Sequence, residues 1–137
     1  MTYLYDASAI VNLVKKGYVK ILTEGYSLDL AIYEALNAIW KEYKKLNRID
    51  DETAENLVGL IIETMRLMQL LDISDDEINV YRLALREDLT IYDAAYLKKA
   101  MELRAVLVTD DKILKEKAKK YVYSLTTDEL IAKEKPL

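Results

Sequence analysis

The sequence contains neither cysteine nor histidine. Their joint absence excludes disulfide frameworks, Cys/His zinc sites, thiol nucleophiles, Ser-His-Asp triads and imidazole acid–base chemistry, and leaves carboxylates, Lys, Tyr and hydroxyls for any polar reaction. Only three Gly and one Pro occur among 137 residues, which excludes collagen-like repeats and Pro/Gly-rich disorder. No stretch approaches the roughly 18 uncharged apolar residues of a membrane span, and Asp6 interrupts the first apolar run where a signal peptide tolerates no charge, so a cytoplasmic protein is expected. Positive charge is not in excess either. With 20 Lys plus Arg against 24 Asp plus Glu, the formal charge is -4, and any contact with nucleic acid needs local help because no global field draws it in. What is present, 52% hydrophobic and 32% charged side chains, suits one domain of ordinary size. Residues 1–131 are expected to form it, with the charged tail 132–137 frayed.

Apolar spacing predicts alternating short strands and helices. Thr2–Tyr5 reads as a strand and Ala7–Val14 as a helix. A loop containing Gly25 leads to a strand near Tyr26–Leu30, followed by a helix over Ile32–Leu46. Asp50 or Asp51 caps a long helix reaching about Met68, and Leu70–Ile73 reads as a third strand. Ser74 with Glu77 forms a capping box for the next helix. Thr90–Leu103 is helical, Ala105–Val108 a strand, Asp110 or Asp111 the start of a helix to about Lys119, and Tyr121–Tyr123 the last strand. This alternation gives an α/β fold: a three-layer α/β/α sandwich around a mostly parallel sheet of about five strands.

In open α/β sheets ligands bind beyond the carboxyl ends of the strands, so the residues that finish strands carry the most information about chemistry. Here they are acidic. Asp6 ends the first strand, Asp110 and Asp111 follow the fourth, and Glu34 and Asp93 fall in early turns of helices entered from that side. If the first and fourth strands are neighbours, these groups meet in one cleft. Crowded carboxylates repel unless protons or a cation intervene. Oxygen-only donors favour Mg²⁺ or Mn²⁺, and such an ion can bridge an acidic protein to a phosphodiester.

Four short motifs carry a resemblance: Tyr5-Asp6-Ala7-Ser8-Ala9-Ile10, Glu34-Ala35-Leu36-Asn37, Tyr92-Asp93-Ala94-Ala95-Tyr96-Leu97 and Val108-Thr109-Asp110-Asp111. In order and spacing, across nearly the whole chain, they resemble the PIN-domain ribonucleases, and within them the compact VapC-type toxins. The resemblance implies a parallel sheet of about five strands flanked by helices and a Mg²⁺ or Mn²⁺ site made by an acidic quartet. Carried over, Asp6 and Asp93 are the principal metal ligands, Glu34 a ligand or water-orienting base, and Asp111 the fourth acid, with Asp110 as its neighbour and possible substitute. Ser8 and Thr109 are supporting hydroxyls. The implied activity is a Mg/Mn-dependent endoribonuclease, the toxin of a toxin–antitoxin pair with a small antitoxin as partner; an RNA-processing PIN nuclease outside such a system would share the same residues.

Other readings compete. Asp6, Asp93 and Asp111 can simply cap helices, Glu34 can gain from a helix dipole, and the chain would then be a non-catalytic α/β interaction module. Asp110 and Asp111 together are more than one cap requires. A phosphoacceptor using Asp6 lacks the Asp-x-Asp pattern, because position 8 is Ser8. Asp50-Asp51-Glu52, Asp75-Asp76-Glu77 and Asp128-Glu129 read as helix starts, and Asp29 as an outward charge on an edge strand. Lys41, Lys44, Lys45 and the series Lys112–Lys120 either line an RNA path or form solvated helix faces. Tyr92 and Tyr96 either stack on bases or pack on the sheet. The apolar stretch Leu57–Leu71 serves a homodimer, a partner helix or the core.

Overall fold

Strand β1 (Tyr3–Tyr5) is buried along its whole length and lies between two parallel neighbours. In the computed structural model, which describes residues 1–134, it pairs with β2 (Tyr26–Leu28) through Leu4 and Tyr26, and with β4 (Val106–Val108) through all three residues. β3 (Gln69–Leu71) and β5 (Ser124–Leu125) complete an all-parallel sheet of order β3-β2-β1-β4-β5. The neighbouring of first and fourth strands, on which the convergence of the acids depends, is therefore present. Strands buried on both faces read as continuous apolar runs, as Tyr-Leu-Tyr and Val-Leu-Val do here.

Among the described residues, eight α-helices surround the strands. α1 (Ala7–Lys15) follows β1 directly, capped by Asp6, and α2 (Val19–Thr23) precedes β2. α3 (Ala31–Trp40) runs into a π-helical turn, Lys41–Lys45, and α4 (Asp51–Leu67) leads to β3. α5 (Glu77–Glu87) and α6 (Ile91–Leu103) pack on each other before β4; α7 (Lys112–Ala118) and α8 (Thr127–Glu134) flank β5. α1, α3 and α4 pack together, while α6 lies against β1 and β4. These layers form the expected α/β/α sandwich. Among the described residues, no helix is long and apolar enough to cross a membrane.

Several local expectations change. α2, only five residues long, was not anticipated from the segment read as loop. The Ser74–Glu77 capping box does not form: Asp72 accepts from the Ser74 N–H in a tight turn, Asp75 takes φ 68°, and the helix starts at Glu77. A genuine box closes instead at α8, where Thr126 Oγ1 accepts from the Glu129 N–H and Glu129 Oε1 accepts from the Thr126 N–H. The last strand is Ser124–Leu125 rather than Tyr121–Tyr123, because the buried pair is what registers with Leu107 and Val108. Asp29 is exposed as expected, but just past β2, an interior strand, where its N–H donates to Leu71 O. Of the tail expected to fray, residues 132–134 continue α8, with Tyr3 OH donating to Glu134 at 2.6 Å, and 135–137 lie outside the described residues.

Candidate functional site

Asp6 stands where β1 gives way to α1, and its carboxylate is buried. One oxygen, Oδ1, accepts from the Ala9 N–H at 2.9 Å, as an N-cap should, and from Ser8 Oγ at 2.7 Å. The other, Oδ2, accepts a short hydrogen bond from Thr109 Oγ1, on the neighbouring β4 end. Burial pushes the Asp6 carboxyl up to about 6; the bonds from Thr109, Ser8 and Ala9 oppose that rise, and the Asp93 charge adds to it.

Thr109 is fully buried and passes the contact on, since its Oγ1 accepts from the Asp111 N–H at 3.0 Å. Asp111 then caps α7, its Oδ1 accepting from the Leu114 N–H. Across the cleft, Thr90 Oγ1 accepts from the Asp93 N–H and so starts α6. The Asp93 carboxyl is also raised to about 6, first by burial, then by the Asp111 and Glu34 charges. Glu34, in the first turn of α3, accepts from the Tyr96 hydroxyl at 2.7 Å. Burial, the bond to Glu34 and the nearby Asp6 charge all push the Tyr96 phenol upward.

Among the residues expected to converge, Asp93 feels the Asp111 and Glu34 charges, Asp6 feels Asp93, and Tyr96 feels Glu34 and Asp6. Asp110 is turned elsewhere. Its oxygens accept from Asn12 Nδ2 at 2.6 Å, the Thr127 N–H at 2.8 Å and Thr127 Oγ1 at 2.7 Å, tying α1 to the start of α8. Ser8 Oγ accepts from the Asp110 N–H as well as donating to Asp6. The second acid of the pair, surplus to one cap, has a structural use of its own.

The oxygen-only donor set suits a hard divalent cation in kind, and the raised carboxyls are what such a cation would relieve. Among the described residues, however, no three acidic side chains are gathered into a group that would hold an ion as they stand.

Tyr96 was read as stacking or packing; it is buried, and its hydroxyl anchors Glu34. Its position one turn beyond Asp93 on α6 is the signal that could have placed it there. Asn12 and Thr127 carry no such signal, being far from Asp110 in sequence. Most lysines of the 112–120 series are occupied: Lys115 with Glu129, Lys119 with Glu116, Lys120 with Glu87, and Lys117 with Asp88 O. In Leu57–Leu71, Ile61, Met65 and Met68 are buried in the core, and Leu60, Leu67 and Leu70 are exposed.

No family model matches the chain. Two curated proteins of Pyrobaculum aerophilum are similar to it. Exonuclease VapC9 is 37% identical over 119 residues, covering 85% of this chain and 86% of that protein. Ribonuclease VapC3 is 31% identical over 125 residues, covering 85% and 95%. Among solved structures, the crystal structure of PAE2754 from the same organism superposes with a TM-score of 0.79 at 30% identity, covering 97% of this chain and 94% of that one.

Proposed function

Since the chain belongs to the PIN-domain family, among its VapC-type members, we propose that it is a divalent-metal-dependent endoribonuclease whose working groups are Asp6, Glu34, Asp93 and Asp111. The observation that supports this reading is the closeness of these acids: after burial, the Asp111 and Glu34 charges raise Asp93, and the Asp93 charge in turn adds to the rise of Asp6. Helix capping accounts for Asp6 and Asp111 but gives no reason for Asp93 and Glu34 to be brought toward them.

Asp6 and Asp93 would hold the ion, with Asp111 and Glu34 completing its surroundings. Bound there, Mg²⁺ or Mn²⁺ supplies charge neutralisation at the phosphate and lowers the pKa of water. The protein's own residues do the rest. Thr109 and Ser8 fix both oxygens of Asp6, so the central carboxylate cannot rotate as substrate enters. The Tyr96 hydroxyl fixes one oxygen of Glu34 and leaves the other to orient a water molecule and accept its proton. The water oxygen bonds to phosphorus as the bond to the leaving sugar oxygen breaks, and that oxygen is protonated from solvent.

The cleft is open to solvent beside Glu34, which supports cleavage within a strand. Family membership supports the toxin role, restraint by a small antitoxin protein and a cytoplasmic location. The exposed apolar row Ile78, Tyr81 and Leu85 on α5 supports a homodimer.

A circular RNA tests the reading. Purified protein with Mg²⁺ or Mn²⁺ should linearise it, chelator should stop the reaction, and Asp93→Asn should remain folded and lose at least about a hundred-fold in rate. Trimming of linear RNA with the circle left intact would replace the endonuclease by an exonuclease. Failure to cut any RNA would leave the non-catalytic module.

A further inference from the structure

Two exposed tyrosines stand immediately before two of the clustered acids: Tyr33 before Glu34 in α3, and Tyr92 before Asp93 in α6. Consecutive helical residues are about 100° apart. With Glu34 and Asp93 toward the cleft, the residue before each is placed at its rim. Tyr33 is 79% exposed and Tyr92 57%, and the two line a single open groove of about 490 Å³ with Leu30, Glu34 and Asn37.

The hydroxyls of Tyr3, Tyr5, Tyr96 and Tyr121 donate to partners within the fold, while among the described residues Tyr33 and Tyr92, like several other exposed tyrosines, donate to none; what sets these two apart is that they border one groove beside Glu34. Both rings are largely exposed and border the same groove. The groove contains no Lys or Arg, and the chain carries a net charge of -4. Beyond the phosphate that the ion would neutralise, a polynucleotide strand lying there meets no basic side chain of the groove, and such contacts supply most of the affinity in basic nucleic-acid-binding proteins. The remaining source is the face of a base. Aromatic side chains bind bases of any sequence by stacking, and a base offers its face only when it is unpaired, since a duplex already stacks both sides.

We propose that Tyr33 and Tyr92 form a stacking platform for a base next to the scissile phosphate. The proposal rests on the nuclease reading above. It makes the tyrosines binding residues: the platform raises the occupancy of the cleft while the acids carry out the reaction.

The test measures cleavage by the full chain in Mn²⁺ on a labelled single strand, on the duplex of the same sequence, and on a strand with one abasic residue beside the cleaved bond. Tyr33→Ala and Tyr92→Ala should each raise KM by about 5- to 50-fold, with kcat changed by less than about three-fold. The double Tyr→Phe variant should keep near wild-type KM, because the ring and not the hydroxyl is used. The abasic strand should raise KM for the wild type and add little for the Tyr33→Ala/Tyr92→Ala double variant. The duplex should resist. Unchanged thermal midpoints would show that the alanine variants fold, as expected for exposed side chains.

If the wild type cuts RNA while the alanine variants keep its KM, or if duplex and single strand are cut equally, the platform is wrong and the nuclease reading stands. Intact RNA kinetics with lost binding of a purified protein partner would overturn the proposal in favour of a protein interface. If the wild type cuts no RNA with either ion, both readings fall together.

Discussion

Asp110 and Asp111 are adjacent acids with opposite fates. Asp110 has both oxygens saturated by Asn12 and Thr127, so it behaves as a rivet between α1 and α8, while Asp111 spends one oxygen on a cap and turns its charge toward Asp93. The strain among the clustered acids has a measurable consequence. Asp6 and Asp93 titrate near 6 in the folded chain against an ordinary value of 3.8, so between these limits the folded state binds protons that the unfolded chain has released. Their contribution to stability is complete below about pH 4 and is lost as pH rises through 6. Asp76 works in the other direction. Its neighbours Glu102, Asn79 and Lys98 hold its carboxyl down at about 2, so its stabilisation is present above about pH 4 and disappears in stronger acid, outside the window of the other two. Thermal unfolding of the metal-free protein should therefore show a falling midpoint from pH 4 to 6.5. Asp93→Asn should flatten that fall and stabilise the protein at pH 7.5 by on the order of 1–2 kcal/mol, a few degrees in midpoint. A variant that is less stable at pH 7.5 would show that the acids are not under mutual strain.

The elements hold the residues through a few tight contacts, of which Gly25 makes one. A Cβ placed there would stand 2.5 Å from Cε2 of the Tyr5 ring and 3.2 Å from Tyr3 O, so the turn into β2 closes on β1 only because the side chain is missing. Tyr5 is fully buried and immediately precedes Asp6. Gly25→Ala should cost about 1–3 kcal/mol in chemical denaturation, through overpacking, and should also slow RNA cleavage by displacing β1 beside the site. Loss of stability with unchanged cleavage would show that β1 moves independently of Asp6. The same contacts mark how far the sequence could be read. Much of the strand and helix alternation, the cap Asp6, a cap at Asp50 or Asp51, and the acids at strand ends are legible, since each is written in local residue type and spacing, whereas α6 is capped by Thr90 rather than by Asp93. Asp110 and Asp111 could not be told apart locally, because Asn12 and Thr127 lie 98 and 17 residues from Asp110. Ser74 misled for a related reason: a capping-box pattern exists there, but the turn made by Asp72 competes for the same backbone and wins.

At the scale of the whole molecule, the order β3-β2-β1-β4-β5 sets β1 in the middle of the sheet, paired with β2 on one side and β4 on the other. The Asp6–Thr109 bond spans 103 positions of sequence, and contacts of such separation are slow to form. A chain ending at Arg104 would retain α1–α6 but lack β4, leaving one edge of β1 with unpaired backbone groups and Asp6 without its Thr109 partner. It should give poorly dispersed amide signals and bind dyes that report exposed apolar surface; native-like dispersion would show that the N-terminal part folds on its own. During translation the consequence is one of timing. Until a ribosome has added β4 and Thr109, the nascent chain holds every residue up to Asp93 but not the hydroxyl that fixes Asp6, so the end of β1 stays unanchored while the helices before β4 are already made.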